Sequence, residues 1–375
     1  MNRKSPFKKN KKNKWKHYAG VLHLWLGLLS GIVVFIMAST GCIYVFQDEI
    51  KDVVYEWRHI EAQNKSFVAP SVVFENIKKK YPETEANMVV YQNASRPISV
   101  YVIISDIPYN IYLNPYTGDI THIENLDADF FMIVEGLHRF LLLPEAIGKQ
   151  VTGISTILFL VMLITGLILW WPKKMRNAAQ NFKIKWRAKW RRRNYDWHRA
   201  TGFYMILPAI VIAITGLSFS YEWMHDGLFT LGNFINNEEL VTVVPDFEKN
   251  GKTSTLKAVD LAFVQTQDLA AESGMYFVWN QGEGLPILTG AYPESLQFDH
   301  QSNFYFDALS GELLINQNYS NKSPGLKLQE MNYGLHTGQF FNLTGKIVVF
   351  FVSFFIASLP VSGILIWYGR RKKRK

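Results

Sequence analysis

Four histidines stand at matched positions in this 375-residue chain. His23 opens the stretch HLWLGLLSGIVVFIMASTG and His198 the stretch HRATGFYMILPAIVIAITG, so both read H-x3-G-x12-T-G, matching Gly27, Thr40 and Gly41 to Gly202, Thr215 and Gly216. His138 precedes Gly148, Gly166 and Trp170 much as His336 precedes Gly345, Gly363 and Trp367. An imidazole beside an apolar run is costly to place and binds metals through a neutral ring nitrogen, so the pattern suggests ligands. Two such rings could give a haem iron its axial bonds, while the small residues Gly27, Gly202, Gly41 and Gly216 would let a flat macrocycle approach the backbone. Zinc is a second reading, although no H-E-x-x-H occurs and the nearby Glu135 and Asp196 have no counterpart in the other copy. Interfacial histidines on closely packed helices are a third.

The elements that must position these residues are four apolar runs, about 21–46, 150–171, 200–221 and 347–368, each long enough to cross a bilayer. Their interiors carry no charge, and Trp15, Tyr18, Trp170, Trp171, Trp197, Trp367 and Tyr368 gather near their ends as an interfacial belt would. The formal charge of +9 is unevenly spread: residues 1–20, 173–193 and 370–375 hold 24 of the 40 Lys and Arg and no Asp or Glu. By the positive-inside rule both termini and the middle loop face the cytoplasm, which explains the basic clusters without a nucleic-acid partner. His23 and His198 then lie toward the inner face and His138 and His336 toward the outer one. Two pairs at two depths suit a transmembrane electron path. Arg139 and Arg199 each follow a ligand candidate and could pair with haem propionates. The first run is too long for a signal peptide and takes part in the repeat, so it is expected to be retained. A lone Cys42 leaves no disulfide framework and no cysteine metal site.

The two segments between outward and inward runs share a scheme. In the first, a helix over Ser71–Tyr81 leads to strands at Asn87–Tyr91, Ile98–Ile104, Ile111–Leu113 and Ile120–Ile123; in the second, a helix over Leu256–Leu269 leads to strands at Met275–Trp279, Pro286–Thr289 and Asn303–Phe306. The turns YLNPYTGD and YFDALSGE align. The chain thus reads as two parallel copies of helix, small outer module, helix. His17 lies about 240° around the helix from His23, so the two cannot face one site and His17 could serve only in place of His23; His59, His122, His225 and His300 have no counterparts and read mostly as surface residues.

At LHLWLGLLSG, LHRFLL, WHRATG, LHTG and the two outer turns, the sequence resembles the PepSY-associated transmembrane helix family, iron-regulated membrane proteins that include ferric-siderophore reductases of bacterial inner membranes. The likeness covers nearly all of the chain after about residue 15. It implies an α-helical membrane protein: a four-helix bundle carrying two periplasmic α+β PepSY-like modules with an internal two-fold repeat. It also implies two haem b groups held by His23, His138, His198 and His336. Boundaries follow: a cytoplasmic N-terminus 1–20, spans 21–47, 133–172, 195–222 and 333–368, modules 48–132 and 223–332, a cytoplasmic loop 173–194 and a tail 369–375.

Some relatives carry a fused flavin and nicotinamide reductase domain that this sequence lacks; the glycine cluster GEGLPILTG has no strand and helix around it to make a dinucleotide site. The expected electron donor is therefore a quinol or a separate reductase, the acceptor a ferric siderophore or other ferric chelate, and the setting a lipid bilayer. Aromatics such as Tyr112, Tyr116, Trp279, Tyr292, Phe304 and Tyr305 are candidates to grip the chelate, or else strand core. The rival functions are a permease for the chelate or a metal, and a scaffold whose outer modules bind a partner protein.

Overall fold

The computed structural model describes residues 14–172, 175–235 and 254–371. The basic clusters at 1–13 and 372–375, and residues 236–253, lie outside the described residues. In chain order the helices and strands are α1 (Lys14–Tyr44), α2 (Gln47–Val54), α3 (Pro70–Lys80), β1 (Met88–Tyr91), β2 (Ile98–Ile104), β3 (Ile107–Leu113), β4 (Ile120–Asn125), α4 (Phe130–Phe140), α5 (Glu145–Trp170), α6 (Trp190–Ser220), α7 (Glu222–Ile235), α8 (Leu256–Leu269), β5 (Met275–Asn280), β6 (Ile287–Tyr292), β7 (Ser302–Phe306), β8 (Leu313–Gln317), α9 (Pro324–Glu330), α10 (Asn332–Thr337) and α11 (Asn342–Arg371). Contacts divide the chain into two units, one made of Met1–Cys42, Leu137–Ser220 and Phe350–Lys375, the other of Ile43–Gly136 and Tyr221–Val349.

The first unit is a helical bundle. α1, α5, α6 and the stretch ending in α11 are each long and apolar enough to span a membrane. Each contributes to one core: Val34 from α1, Phe159 and Leu163 from α5, Ala209 and Ala213 from α6, Val352 and Ile356 from α11. Leu29, Ile164 and Leu207 point away from it, 70%, 61% and 75% exposed, and apolar surface of that extent calls for lipid rather than water. The molecule is a multi-pass membrane protein.

The second unit is built on one antiparallel sheet in the order β4-β3-β2-β1-β5-β6-β7-β8. The two segments read as modules in the sequence thus share one sheet. β1 of the first half of the chain pairs along its length with β5 of the second, Val89 opposite Val278 and Tyr91 opposite Tyr276. An unpaired β1 would present an open edge, and the partner half covers it. Alternation along the strands turns Ile98, Val100, Ile111, Leu113, Val278, Ile287 and Phe304 to one face, where α3 supplies Val73 and Ile77 and α8 supplies Val259 and Phe263 to a single core. Two strands differ from the sequence reading. β3 begins at Ile107, because Ser105 and Asp106, both at positive φ, make a two-residue hairpin that lets Pro108 pair with Ile103. β8 was not anticipated: LLINQ has little strand signal of its own and is held by its ladder to β7.

The aligned turns close alike. Asn114 N–H donates to Asp119 O at 2.8 Å and Asp307 N–H to Glu312 O at 2.8 Å; the Asn114 and Asp307 side chains accept from backbone N–H groups two residues on. Gly118 (φ 74°) and Gly311 (φ 72°) take the left-handed position that each turn requires.

Candidate functional site

In the bundle unit, three of the four sequence-matched histidines are clamped in the same way. His23 on α1 has Nδ1 3.2 Å from Met162 O and 3.0 Å from Thr165 Oγ1 of α5. A carbonyl only accepts, and the Thr165 hydroxyl already donates to Val161 O at 3.0 Å, so Nδ1 carries a proton and Nε2 is the nitrogen not used in this clamp. His198 on α6 has Nδ1 2.8 Å from Ser362 Oγ of α11, whose hydroxyl donates to Leu359 O at 3.0 Å. His138, in the last turn of α4, has Nδ1 2.8 Å from Met37 O and 3.2 Å from Thr40 Oγ1, a hydroxyl that donates to Ile36 O at 2.8 Å. In all three the geometry assigns a donated proton to Nδ1, which leaves Nε2 as the nitrogen that could bind a metal.

Each of these rings lies against a glycine of a neighbouring helix. A Cβ on Gly166 would come within 3.3 Å of His23 Cε1, one on Gly363 within 3.4 Å of His198 Cε1, and one on Gly41 within 3.4 Å of His138 Cε1. Gly27 instead faces the Met162 side chain and Gly202 the Leu359 side chain. Sequence spacing had marked Gly166 and Gly363 as matched to one another, but spacing within one helix carries no information on what the next helix presents.

The structure brings His23 and His198 together, with ring centres 6.2 Å apart and planes at 88°. Two imidazoles bonded through nitrogen at about 2 Å to opposite sides of one metal ion have ring centres roughly 6 Å apart. The separation of the pair is of that size. Among the described residues no three His, Cys, Asp or Glu side chains converge, whereas a structural zinc needs three or four such ligands. His336 lies in the sheet unit on the short helix α10, half-buried, two residues before Gly338 ends that helix at φ 83°.

The two arginines stand in different surroundings. Arg199 engages Asp196 Oδ1 at 3.0 Å, Asn181 Oδ1 at 2.9 Å and Gln180 O at 2.7 Å. Asp196 is fully buried and also accepts from Arg192 Nε at 3.0 Å, so Arg199 serves to neutralise a buried carboxylate at the start of α6. Arg139 lies over the Phe140 ring, its guanidinium carbon 4.7 Å from the centroid. Of the unmatched histidines, His17, His59 and His225 are exposed, but His122 stacks on Trp57 at 4.2 Å and His300 on Phe340 at 5.5 Å. Burial holds the His122 ring below its usual pKa against the opposing pull of Glu124.

Among the aromatics proposed to hold a chelate, Phe304 is fully buried core and Tyr305 nearly so. Tyr112 alone of that group lines a cavity of about 590 Å³ in the sheet unit. No sequence signal singled out that cavity.

Two comparisons with known proteins bear on this arrangement. The family model described as PepSY-associated TM region matches residues 21–370. No curated protein matches the chain.

Proposed function

Because the chain belongs to the family of the PepSY-associated TM region, we propose that it is a di-haem electron carrier of the bacterial inner membrane that reduces ferric siderophores or other ferric chelates outside the cytoplasm. The observation that carries this reading is the His23–His198 pair, tautomers set by neighbouring helices, ring centres 6.2 Å apart. His23 and His198 would hold one haem b, and His138 and His336 a second. A haem so held supplies reversible one-electron chemistry in a dry bundle.

The chain's own residues do the rest. Met162 O, Met37 O and Ser362 Oγ hold the imidazoles in one tautomer and orientation and make the ligating nitrogens more basic. The core around Phe159, Ala213 and Ile356 excludes water. Arg139 is the residue suited to a propionate, while Arg199 secures the helix start beside His198. The basic clusters orient both termini inward, so electrons enter at His23 and His198 from a quinol or a separate reductase. Each ferric ion takes one electron, and a quinol, giving two electrons and two protons, would serve two ferric ions. The ferrous ion binds hard oxygen donors less tightly and is released. The two halves of the chain are read as copies of one helix, outer segment, helix unit, which supports equivalent roles for the matched histidines.

The test is a reduced-minus-oxidised absorption spectrum of the purified protein in detergent, with haem counted per chain. Two low-spin b-type haems are expected, with His198→Ala losing one of them and the reduction of ferric chelate. A haem-free protein after haem-replete expression refutes the reading and leaves transport or scaffolding.

A further inference from the structure

The face of the sheet opposite α3 and α8 carries the cavity of about 590 Å³, within the range of small-molecule sites. Strand alternation explains why it is polar. Ile98, Val100 and Ile111 turn to the core, so Ser99, Asn110, Tyr112 and Glu124 turn to the other face, paired across the ladder as Ser99 with Tyr112 and Asn110 with Glu124. Aromatic rings line it in two pairs: Trp57 with Tyr112, centroids 4.4 Å apart, and Phe298 with Tyr333 at 5.8 Å. Tyr333 stands three residues before His336 on α10, and Glu135, another lining residue, stands three before His138 on α4.

The charges on its wall are already matched by partners built into the fold. Lys51 Nζ lies 2.9 Å from Glu124 and 3.0 Å from Asp129. Arg58 reaches Asp52 at 2.6 Å and Asp48 at 3.2 Å, and Arg96 also binds Asp52. Glu135 accepts from the Tyr44 hydroxyl at 3.1 Å. No cation of this wall stands without a carboxylate, so the cavity offers hydrogen-bonding groups and ring faces but no surplus positive charge. A trianion entering it would be desolvated against carboxylates, at a cost that a neutral guest does not meet.

We propose that this cavity is the substrate site and that it takes oxygen-rich chelates of neutral or single positive charge, seated between the Trp57–Tyr112 and Phe298–Tyr333 pairs, and rejects trianionic ones. The proposal rests on the reductase reading for the identity of the guest as a ferric chelate. Three singly charged ligand groups, as in a tris-hydroxamate, cancel the three charges of ferric iron, whereas three doubly charged catecholates leave a trianion. The cavity thus separates the two classes by charge.

Gallium(III) complexes test this on the full-length protein in detergent, because gallium has the charge of ferric iron and is not reduced. Calorimetric titration with gallium(III) desferrioxamine, a tris-hydroxamate, and gallium(III) tris-catecholate is expected to show binding of the first and at least tenfold weaker binding of the second. Trp57→Ala and Tyr112→Ala weaken the hydroxamate complex at least tenfold, and Leu314→Ala, on exposed β8, leaves it unchanged. Ser99→Lys, which adds an ammonium to the wall, narrows the difference by improving the catecholate. Absence of binding, equal binding of both complexes, or affinities unmoved by Trp57→Ala overturn the proposal. Hydroxamate binding without reduction of the ferric form by the haem-loaded protein refutes the reductase reading and leaves the cavity standing. Reduction with a KM unchanged in Trp57→Ala does the reverse.

Discussion

At the scale of single residues, the chemistry depends on where two protons sit. Ser362 accepts from His198 Nδ1 because its own hydrogen is engaged by Leu359 O, and this arrangement points the lone pair of the imidazole to Nε2. Ser362→Ala removes the acceptor without crowding the ring. Haem held there should then leave about tenfold or more readily, measured as transfer to an excess of an apo-haem acceptor. Asp52 offers a test of pH dependence in the sheet unit. Burial alone would raise its pKa, but hydrogen bonds from Arg96 and Arg58 outweigh burial and hold the carboxyl below its usual value. A depressed carboxyl stabilises the fold above the unfolded pKa and ceases to do so as pH falls through the folded one. Asp52→Asn is expected to lower stability near neutrality, the two proteins converging in urea unfolding as pH falls through the depressed folded value of Asp52.

At the scale of elements, the glycines of α5 and α11 do two distinct jobs. A Cβ on Gly148 would lie 2.1 Å from Phe140 O, so this glycine lets the end of α4 fold back against α5; Gly345 meets Gly338 O at the same distance before α11. Gly166 and Gly363 instead receive the rings of His23 and His198. The consequences of substitution should divide accordingly. Gly148→Ala collides with backbone and should destabilise by about 3 kcal/mol or more, seen as loss of folded protein on size exclusion. Gly166→Ala needs a shift of only a few tenths of an ångström in the imidazole, so the protein should fold normally and show its change in the haem spectrum.

At the scale of the whole molecule, the strands of residues 88–125 and 275–317 form one sheet whose middle is the β1–β5 ladder. A proline at Val278 removes a hydrogen bond in a central strand, at a cost of about 3 kcal/mol or more. Because α3 and α8 share a single core, hydrogen exchange should rise in β2 and β3 as well as in β6 and β7 of Val278→Pro. A rise confined to residues 254–317 would mean that the halves are stable independently.

Local pattern made several features legible: four apolar runs of spanning length, basic flanks, alternating strands, the helix over Leu256–Leu269, two Asx-type turns and a set of matched histidines. Hydropathy and period are properties of neighbours in the chain, so they carry this much. They could not say that Met162, 139 residues on from His23, would supply its acceptor, or that Arg199 would be taken by Asp196. Nor did they reveal that β1 would find β5, or that a polar sheet face would enclose a cavity with its charges already paired. Those outcomes depend on which surfaces meet when the helices and strands pack, and only the tertiary structure decided them.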